Sequence, residues 1–215
     1  MNIQLANTDK FSYLVIDDMY DENELKEIWE ELEYLTHPRR MKGPGDTHSA
    51  TEKGEYLKDN VGLFLDVIFQ NDRESSNILN ANKKIFGNKD INDVWLNAHP
   101  YNVIWEFLNG DYTMVSYYEN NHHYKEHHDH AQFTVLTWFF KEPKQFNGGD
   151  FSFSRDNIDI EVKNNRTIIF PSWVKHKVSP VTMKEGFEYG DKEPGFSTYG
   201  RYCMTQFLHN HAYTR

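Results

Sequence analysis

A histidine-rich stretch over residues 117–130 contains the side chains best suited to hold a metal ion. His127 and Asp129 are two positions apart, and in an extended strand residues i and i+2 point to the same side. His176, further along the chain, can supply a third ligand. Two imidazoles and one carboxylate on one face of an ion leave the opposite positions open. The set therefore predicts a metal site that accepts additional ligands.

The other histidines of this stretch are expected at the surface or in supporting positions rather than as ligands: His122, His123, His128 and His130. Two histidines and one carboxylate form the facial triad of non-heme Fe(II) oxygenases. A structural zinc site would favour four protein ligands, so zinc fits this set less well. A non-catalytic metal-binding module remains an alternative, because a single His-x-Asp spacing arises often by chance.

The composition limits the class of protein. The chain has 215 residues and a formal net charge of −10, which fits one domain over 1–215 and disfavours nucleic acid or an anionic membrane as a partner. The single cysteine, Cys203, has no internal partner for a disulfide. The sequence predicts neither a signal peptide nor a membrane span. We therefore expect a cytoplasmic protein, with its oligomeric state left open.

The first half of the sequence predicts helices that support a sheet. Asp21 is a plausible N-cap with Glu24 three positions on, and apolar residues then recur at helical spacing over 22–35. Helical support is expected over about 21–108. This half also predicts a short strand over 11–17 and helices within 76–86 and 91–108. The segment at 61–69 fits either a short helix or a strand.

Two long polar loops interrupt these patterns, at 37–51 and 183–199. Each contains glycine and proline, which prevent regular structure. Long loops in compact domains often cover active sites, so each is either a solvated loop or a flap that closes over a substrate.

From Tyr112 onward the hydrophobic period becomes two residues, which is typical of strands. The segment 132–140 is apolar on both faces, as expected of a strand inside a packed double sheet. Short strands at close spacing favour a sandwich over a parallel sheet. The predicted fold class is α+β, mainly β: a double-stranded β-helix (jelly-roll) core over about 112–208 with N-terminal supporting helices. The strand patterns are at 112–118, 132–140, 150–154, 157–162, 167–170, 177–182 and 201–208.

Several motifs occur in order in this second half. The first is Tyr-x-x-Asn-x-x-Tyr-x-x-His-x-Asp, formed by Tyr118, Asn121, Tyr124, His127 and Asp129. Similar motifs follow at 134–139, at 148–150 and from 170 to 181. Together they resemble the Fe(II)- and 2-oxoglutarate-dependent dioxygenases, most closely their prolyl 4-hydroxylase branch. That branch usually has Gly at the Asn position, and both residues tolerate a left-handed turn.

The resemblance implies roles for particular residues. His127, Asp129 and His176 would hold Fe(II). Tyr118, Leu136 and Arg201 would bind 2-oxoglutarate, with Arg201 pairing with its far carboxylate and Tyr118 donating a hydrogen bond to it. The family places its basic residue about ten positions past the distal histidine, where only Lys184 is close. We favour Arg201, which fits the pattern if 183–199 is an insertion.

The resemblance also implies an activity. The protein would use Fe(II), 2-oxoglutarate and O2, with ascorbate, to hydroxylate an unactivated C–H bond and release succinate and CO2. Prolyl residues of a peptide or protein are the first choice of substrate, and a free amino acid or other small metabolite is the alternative. Three aromatic residues are candidates for substrate contact: Tyr124, Trp138 and Trp173.

Overall fold

The structure is a computed structural model that describes residues 1–188 and 195–211. Its helices are α1 (Glu22–Leu35), α2 (Leu65–Ile68), α3 (Asn77–Asn82), α4 (Lys84–Gly87) and α5 (Lys89–Leu96), with 3₁₀ segments at Pro44–Thr47, Arg73–Ser75 and Pro100–Phe107. The predicted capping box of α1 is present: Asp21 accepts hydrogen bonds from the first turn and Glu24 accepts one from the backbone of Asp21. None of the helices in the described ranges is long and apolar enough to cross a membrane.

Strands dominate the second half of the chain. The early strands are β1 (Asn2–Asn7), β2 (Ser12–Asp17), β3 (Thr51–Glu52), β4 (Glu55–Tyr56), β5 (Lys58–Asp59) and β6 (Val61–Phe64). The middle strands are β7 (Gly110–Tyr118), β8 (His123–His127), β9 (Phe133–Phe139), β10 (Phe146–Gly148), β11 (Phe151–Phe153) and β12 (Ile158–Ile160). The late strands are β13 (Arg166–Pro171), β14 (His176–Val178), β15 (Val181–Met183) and β16 (Arg201–His209).

Two antiparallel sheets form the jelly roll. The larger has seven strands in the order β1-β2-β13-β9-β16-β7-β6, and the smaller has five in the order β12-β11-β14-β8-β5. The pairs β10-β15 and β3-β4 form separate ribbons. The predicted fold class is therefore confirmed. That residues 1–215 form a single domain stays a prediction.

Each face of the large sheet packs into its own core. In β9, Phe133, Val135 and Phe139 join a cluster with the apolar faces of the helices. Leu136 and Trp138, on the opposite face, join a second cluster between the two sheets. This division explains why 132–140 is apolar on both faces, and it leaves the space between the sheets for the inward-facing side chains of β7, β8, β14 and β16.

The structure differs from the sequence prediction at one segment and adds detail at two others. The pattern at 177–182 is not one strand, because Pro180 has no N–H to donate and separates β14 from β15, which lie in different sheets. The segment 61–69 is a strand followed by a single helical turn. β1 was not predicted, because it is a largely exposed edge strand without alternating polarity.

Candidate metal centre

A β-bulge in β8 directs two aromatic rings inward. His176 lies opposite His127, and Val178 lies opposite Tyr124, so β8 advances three residues while β14 advances two. The extra residue breaks the alternation of side chains. Tyr124 and His127 therefore both face inward, with their rings stacked and 3.4 Å between centroids. The bulge places a tyrosine beside the first of the predicted metal ligands.

The side chains of His127, Asp129 and His176 converge on one point. Nε2 of His127 is 3.6 Å from Oδ1 of Asp129, and Nε2 of His176 is 3.6 Å from Oδ2 of Asp129. One ligand atom from each residue lies within 4.8 Å of the other two. Asp129 lies in the loop after β8 rather than in an extended strand, so a turn, not strand alternation, brings the pair together. The structure thus assembles the predicted triad.

Hydrogen bonds set the tautomer of both histidines. Nδ1 of His127 lies 2.9 Å from the carbonyl oxygen of Lys125, and Nδ1 of His176 lies 2.9 Å from that of Val174. A carbonyl oxygen only accepts, so each Nδ1 carries the proton and each Nε2 keeps its lone pair for a metal. Burial first, and then His176, lowers the pKa of His127 well below its usual value. This imidazole is therefore neutral near pH 7.

Asp129 is oriented by the hydroxyl of Thr134 and by the backbone of Ser172. Oγ1 of Thr134 donates to Oδ2 of Asp129 at 2.7 Å and lies 2.8 Å from Oγ of Ser172. The backbone N–H of Asp129 donates to the carbonyl oxygen of Ser172 at 3.0 Å. Supporting contacts of this kind hold a ligating carboxylate in place. No role was predicted for either hydroxyl, since Thr134 fits an ordinary strand pattern and Ser172 an ordinary turn.

A small cavity, the inner cavity, lies on one side of the triad between the two sheets. Its volume is about 40 Å³. It reaches from the triad to Arg201 and has mostly apolar walls. The residues that line it are Met114, Ser116, Tyr118, Tyr124, His127, Asp129, Leu136, Phe151, His176, Val178, Arg201, Cys203, Thr205 and Phe207.

Arg201 ends this cavity with a buried positive charge. It is the first residue of β16, lies opposite Tyr118 and is 0% exposed. Within residues 1–188 and 195–211, none of its three guanidinium nitrogens has a hydrogen-bond partner. A buried charge without a partner is costly, and the planar fork of Arg matches a carboxylate. The inner cavity is therefore suited to a small anion.

Neighbouring residues shape this end of the cavity. A Cβ on Gly149, whose φ is +67°, would lie 3.0 Å from Cδ of Arg201. A Cβ on Gly200 would lie 2.2 Å from the carbonyl oxygen of Tyr118, so glycine is needed at both positions for β16 to approach. Burial raises the pKa of the Tyr118 hydroxyl well above its usual value, so this group stays protonated and can donate a hydrogen bond.

A larger opening, the outer cleft, lies on the other side of the triad. Its volume is about 820 Å³, within the range of sites that hold small molecules, and it is open to solvent. The residues that line it are Thr47, His48, Ser49, Ala50, Thr51, Leu57, Lys58, Phe64, Asp66, Val67, Gln70, Tyr112, Met114, Tyr124, His127, His128, Asp129, His130, Lys175, Phe207 and His209. Tyr124, His127 and Asp129 line both spaces.

The loop at 37–51 forms part of the outer cleft through residues 47–51. The backbone N–H of Ala50 donates to the hydroxyl of Tyr124 at 3.2 Å. The loop is therefore joined to the ring that stacks on His127. That it closes over a substrate stays a prediction. In the second predicted loop, 183–199, residues 189–194 lie outside the described residues.

Neither Trp138 nor Trp173 is among the described residues that line the two spaces, so their contact with a substrate stays a prediction. Trp138 is 0% exposed and lies behind the inner cavity, 5.6 Å from the Arg201 guanidinium. Trp173 is 46% exposed but packs against Phe11 and Tyr101, outside both spaces as the described residues define them. Tyr124 does line the cleft. Lys184 is exposed and donates to the carbonyl of Lys144, which removes it as an alternative to Arg201.

The residues present fit an iron ion and 2-oxoglutarate. Two imidazoles present their Nε2 atoms beside one carboxylate, which is the donor set of a facial Fe(II) site with open positions. The inner cavity then leads from that point to an unpartnered guanidinium. A dicarboxylate bound at the metal by one end would meet Arg201 with its other end.

Comparison with known proteins agrees with this arrangement. Residues 113–209 match the family model described as the 2OG-Fe(II) oxygenase superfamily. The fold is similar to a Pseudomonas putida prolyl-4-hydroxylase, at 12% identity and a TM-score of 0.56, with 93% of each chain covered. It is similar to a collagen prolyl hydroxylase of Paramecium Bursaria Chlorella virus-1, at 12% identity and a TM-score of 0.52, with 91% of this chain and 94% of that chain covered.

The structure titled OsALKBH1 is also similar, at 12% identity and a TM-score of 0.53, with 98% of this chain and 100% of that chain covered. At such identities these matches show a shared fold. No curated protein sequence matches significantly. The family match covers β7 through β16, the elements that hold His127, Asp129, His176 and Arg201. This part of the chain, residues 113–209, is therefore similar to the 2OG-Fe(II) oxygenase superfamily.

Proposed function

We propose that this protein is an Fe(II)- and 2-oxoglutarate-dependent dioxygenase that hydroxylates an unactivated C–H bond of a prolyl residue in a peptide or protein. The observation that carries the proposal is Arg201, a fully buried guanidinium without a described partner in the cavity that also contains the triad. A non-catalytic metal-binding module would have no use for a buried unpaired charge at that distance from its ligands.

The match of residues 113–209 to the family model implies Fe(II), 2-oxoglutarate and O2. Bound iron would supply the redox chemistry that couples decarboxylation of 2-oxoglutarate to hydroxylation. His127, Asp129 and His176 would bind the ion, and Thr134 would hold Asp129 in position. Ascorbate would keep the iron reduced between turnovers.

The protein's own contribution is binding, orientation and exclusion of water. Arg201 and the hydroxyl of Tyr118 would bind the far carboxylate of 2-oxoglutarate, while Leu136 and Phe151 supply apolar walls. A narrow apolar cavity strengthens the charge–charge contact at its end. The triad lies between this cavity and the outer cleft, so a substrate in the cleft would lie next to the residues that would hold the iron.

Two observations support a peptide as the substrate. The outer cleft has about 820 Å³ of open space, which exceeds the needs of 2-oxoglutarate. Two similar structures carry the names prolyl-4-hydroxylase and collagen prolyl hydroxylase. Because OsALKBH1 is similar at the same identity, the choice of prolyl substrate needs a direct experiment.

The experiment is succinate formation from 2-oxoglutarate with Fe(II) and ascorbate, with and without proline-rich peptides, and mass spectrometry of the peptides. The expected result is succinate that increases with peptide and one added oxygen on proline. Asp129→Ala serves as the inactive control. Succinate without peptide oxidation would support the dioxygenase and point to an amino acid or small metabolite. An iron-loaded protein that forms no succinate would contradict the proposal.

A further inference from the structure

Lys58 is a buried lysine in the wall of the outer cleft. It lies in β5, opposite Tyr124 in the neighbouring strand β8, so the two side chains share a face of the sheet. Only 3% of the residue is exposed, and Nζ is 5.7 Å from the centre of the Tyr124 ring. Lysine is almost never this buried unless its charge is paired.

The charge of Lys58 has no pair in the described parts of the chain, where neither a hydrogen bond nor a salt bridge to Nζ occurs. Two acidic residues line the same cleft, and both are engaged elsewhere. Asp66 forms a salt bridge with Arg73 and accepts from the backbone of Thr113. Asp129 is held by Thr134 and belongs to the triad. A buried ammonium group in this setting favours an incoming anion.

The rest of the cleft lining offers little negative charge to oppose an anion. Within the described residues and beyond the triad, it contains a second ammonium group, Lys175, and one carboxylate, Asp66, which is paired with Arg73. Imidazole groups in the same lining can donate hydrogen bonds to an anion. They belong to His48, His128, His130 and His209.

We propose that Lys58 binds a carboxylate carried by the substrate that is hydroxylated, so that this enzyme selects substrates with an acidic group near the reacting C–H bond. The inference rests on the proposed function, which makes the outer cleft the substrate site. The protein would then have two separate anion sites. Arg201 lines the inner cavity and not the outer cleft, while Lys58 lines the outer cleft and not the inner cavity. The triad lies between them.

The test measures binding without turnover, using protein loaded with Zn(II) in place of iron. The first arm uses degenerate peptides with a central proline and with acetylated and amidated ends. One set has Asp or Glu at the positions that flank the proline, and the matched set has Asn or Gln at the same positions. A second arm compares free amino acids with their amides. Retention by the protein is measured by ultrafiltration and mass spectrometry. The first arm reports a side-chain carboxylate, and the second reports an α-carboxylate.

Wild-type protein is expected to retain the carboxylate member of a pair at least about tenfold better in one arm, as a charge-assisted hydrogen bond would give. Lys58→Met should remove the preference, Lys58→Arg should keep most of it, and Lys58→Glu should reverse it. Lys125→Met is the matched control, because Lys125 is exposed on the neighbouring strand β8. Unchanged 2-oxoglutarate affinity in each variant shows that the inner cavity is intact.

Equal retention of acids and amides by the wild type in both arms would overturn the inference. A preference for the carboxylate that remains in Lys58→Met would also overturn the inference. Repeating the comparison with Fe(II), 2-oxoglutarate and O2 separates this inference from the proposed function. A carboxylate preference in binding with no oxidised product would leave the role of Lys58 standing and contradict the dioxygenase.

Discussion

The inner cavity and the outer cleft share the triad but differ in almost every other property. The inner cavity has about 40 Å³ and mostly apolar walls, whereas the outer cleft has about 820 Å³ and several polar walls. Each contains a buried cation that lacks a described partner, Arg201 in one and Lys58 in the other. The small space suits one fixed anion, and the large space suits a choice of ligands.

The two cations also differ in how the fold holds them. Arg201 begins β16, which is paired on both sides in the middle of the large sheet. Lys58 belongs to β5, a two-residue strand at the edge of the small sheet. A central strand is rigid, while an edge strand next to a loop is more easily rearranged. The proposed 2-oxoglutarate site is therefore built into the core, and the proposed substrate site is built at its margin.

Loss of the shared triad should affect both regions and give the largest effect. Asp129→Ala removes the only carboxylate of the triad, so iron binding and succinate formation should fall by more than the roughly 10–100-fold that supporting changes cost. Metal content by mass spectrometry and succinate assays check this. His123→Ala is the control, since His123 lies in the same stretch but outside both linings. Full iron occupancy in Asp129→Ala would contradict the ligand assignment.

Arg201→Met should affect the inner cavity alone. The affinity for 2-oxoglutarate should fall by about 30-fold or more, as truncation of a buried charge pair does, while iron binding stays. The protein without 2-oxoglutarate should become more stable, because an unpaired buried charge is removed. Thermal denaturation with and without 2-oxoglutarate measures both effects. Arg155→Met, at an exposed arginine, is the control. Unchanged 2-oxoglutarate affinity in Arg201→Met would show that Arg201 does not bind 2-oxoglutarate.

Thr134→Val should weaken the triad without removing a ligand. The variant loses the hydrogen bond to Asp129, so metal affinity should fall by roughly 10–100-fold. Thr137→Val is a matched control on the same strand, since Thr137 bonds to Thr167 instead. Competition with a metal-binding dye compares the two variants. Equal metal affinities would show that the hydroxyl of Thr134 does not position Asp129.

Tyr124→Phe should give the smallest effect and change only the outer cleft. The ring still stacks on His127, but the acceptor for the N–H of Ala50 is lost, at a cost of about 0.5–1.5 kcal/mol. Hydrogen exchange should become faster at 47–51, while 2-oxoglutarate affinity stays the same. If that affinity falls instead, the hydroxyl acts in the inner cavity and the two regions are less separate than described.

The sequence predicts the triad well because local chemistry specifies it. His127 and Asp129 are neighbours in the chain, and the motif that contains them includes its own turn. Asn121 adopts φ +67°, as expected of a residue that replaces glycine in a left-handed turn. The two-sided apolar pattern of 132–140 likewise corresponds to two separate cores.

Long-range features are less visible in the sequence. The distance of Arg201 from His176 along the chain depends on the length of the intervening loop, so only its motif pointed to it. Lys58 lies in a short polar segment that no periodicity marks, and its burial depends on pairing with β8. Trp138 and Trp173 were candidates for substrate contact, because the sequence alone does not show which side of a sheet or turn faces the cleft.

The position of β16 has a consequence for the synthesis of the protein. β16 is the last strand in the described chain order, yet it lies between β9 and β7. While a ribosome makes the intervening residues, at about 5–20 per second, β7 and β9 have open edges that can pair with other chains. The nascent protein is thus exposed to aggregation for seconds, and a chaperone that shields strand edges would raise its yield more than one that shields apolar helices.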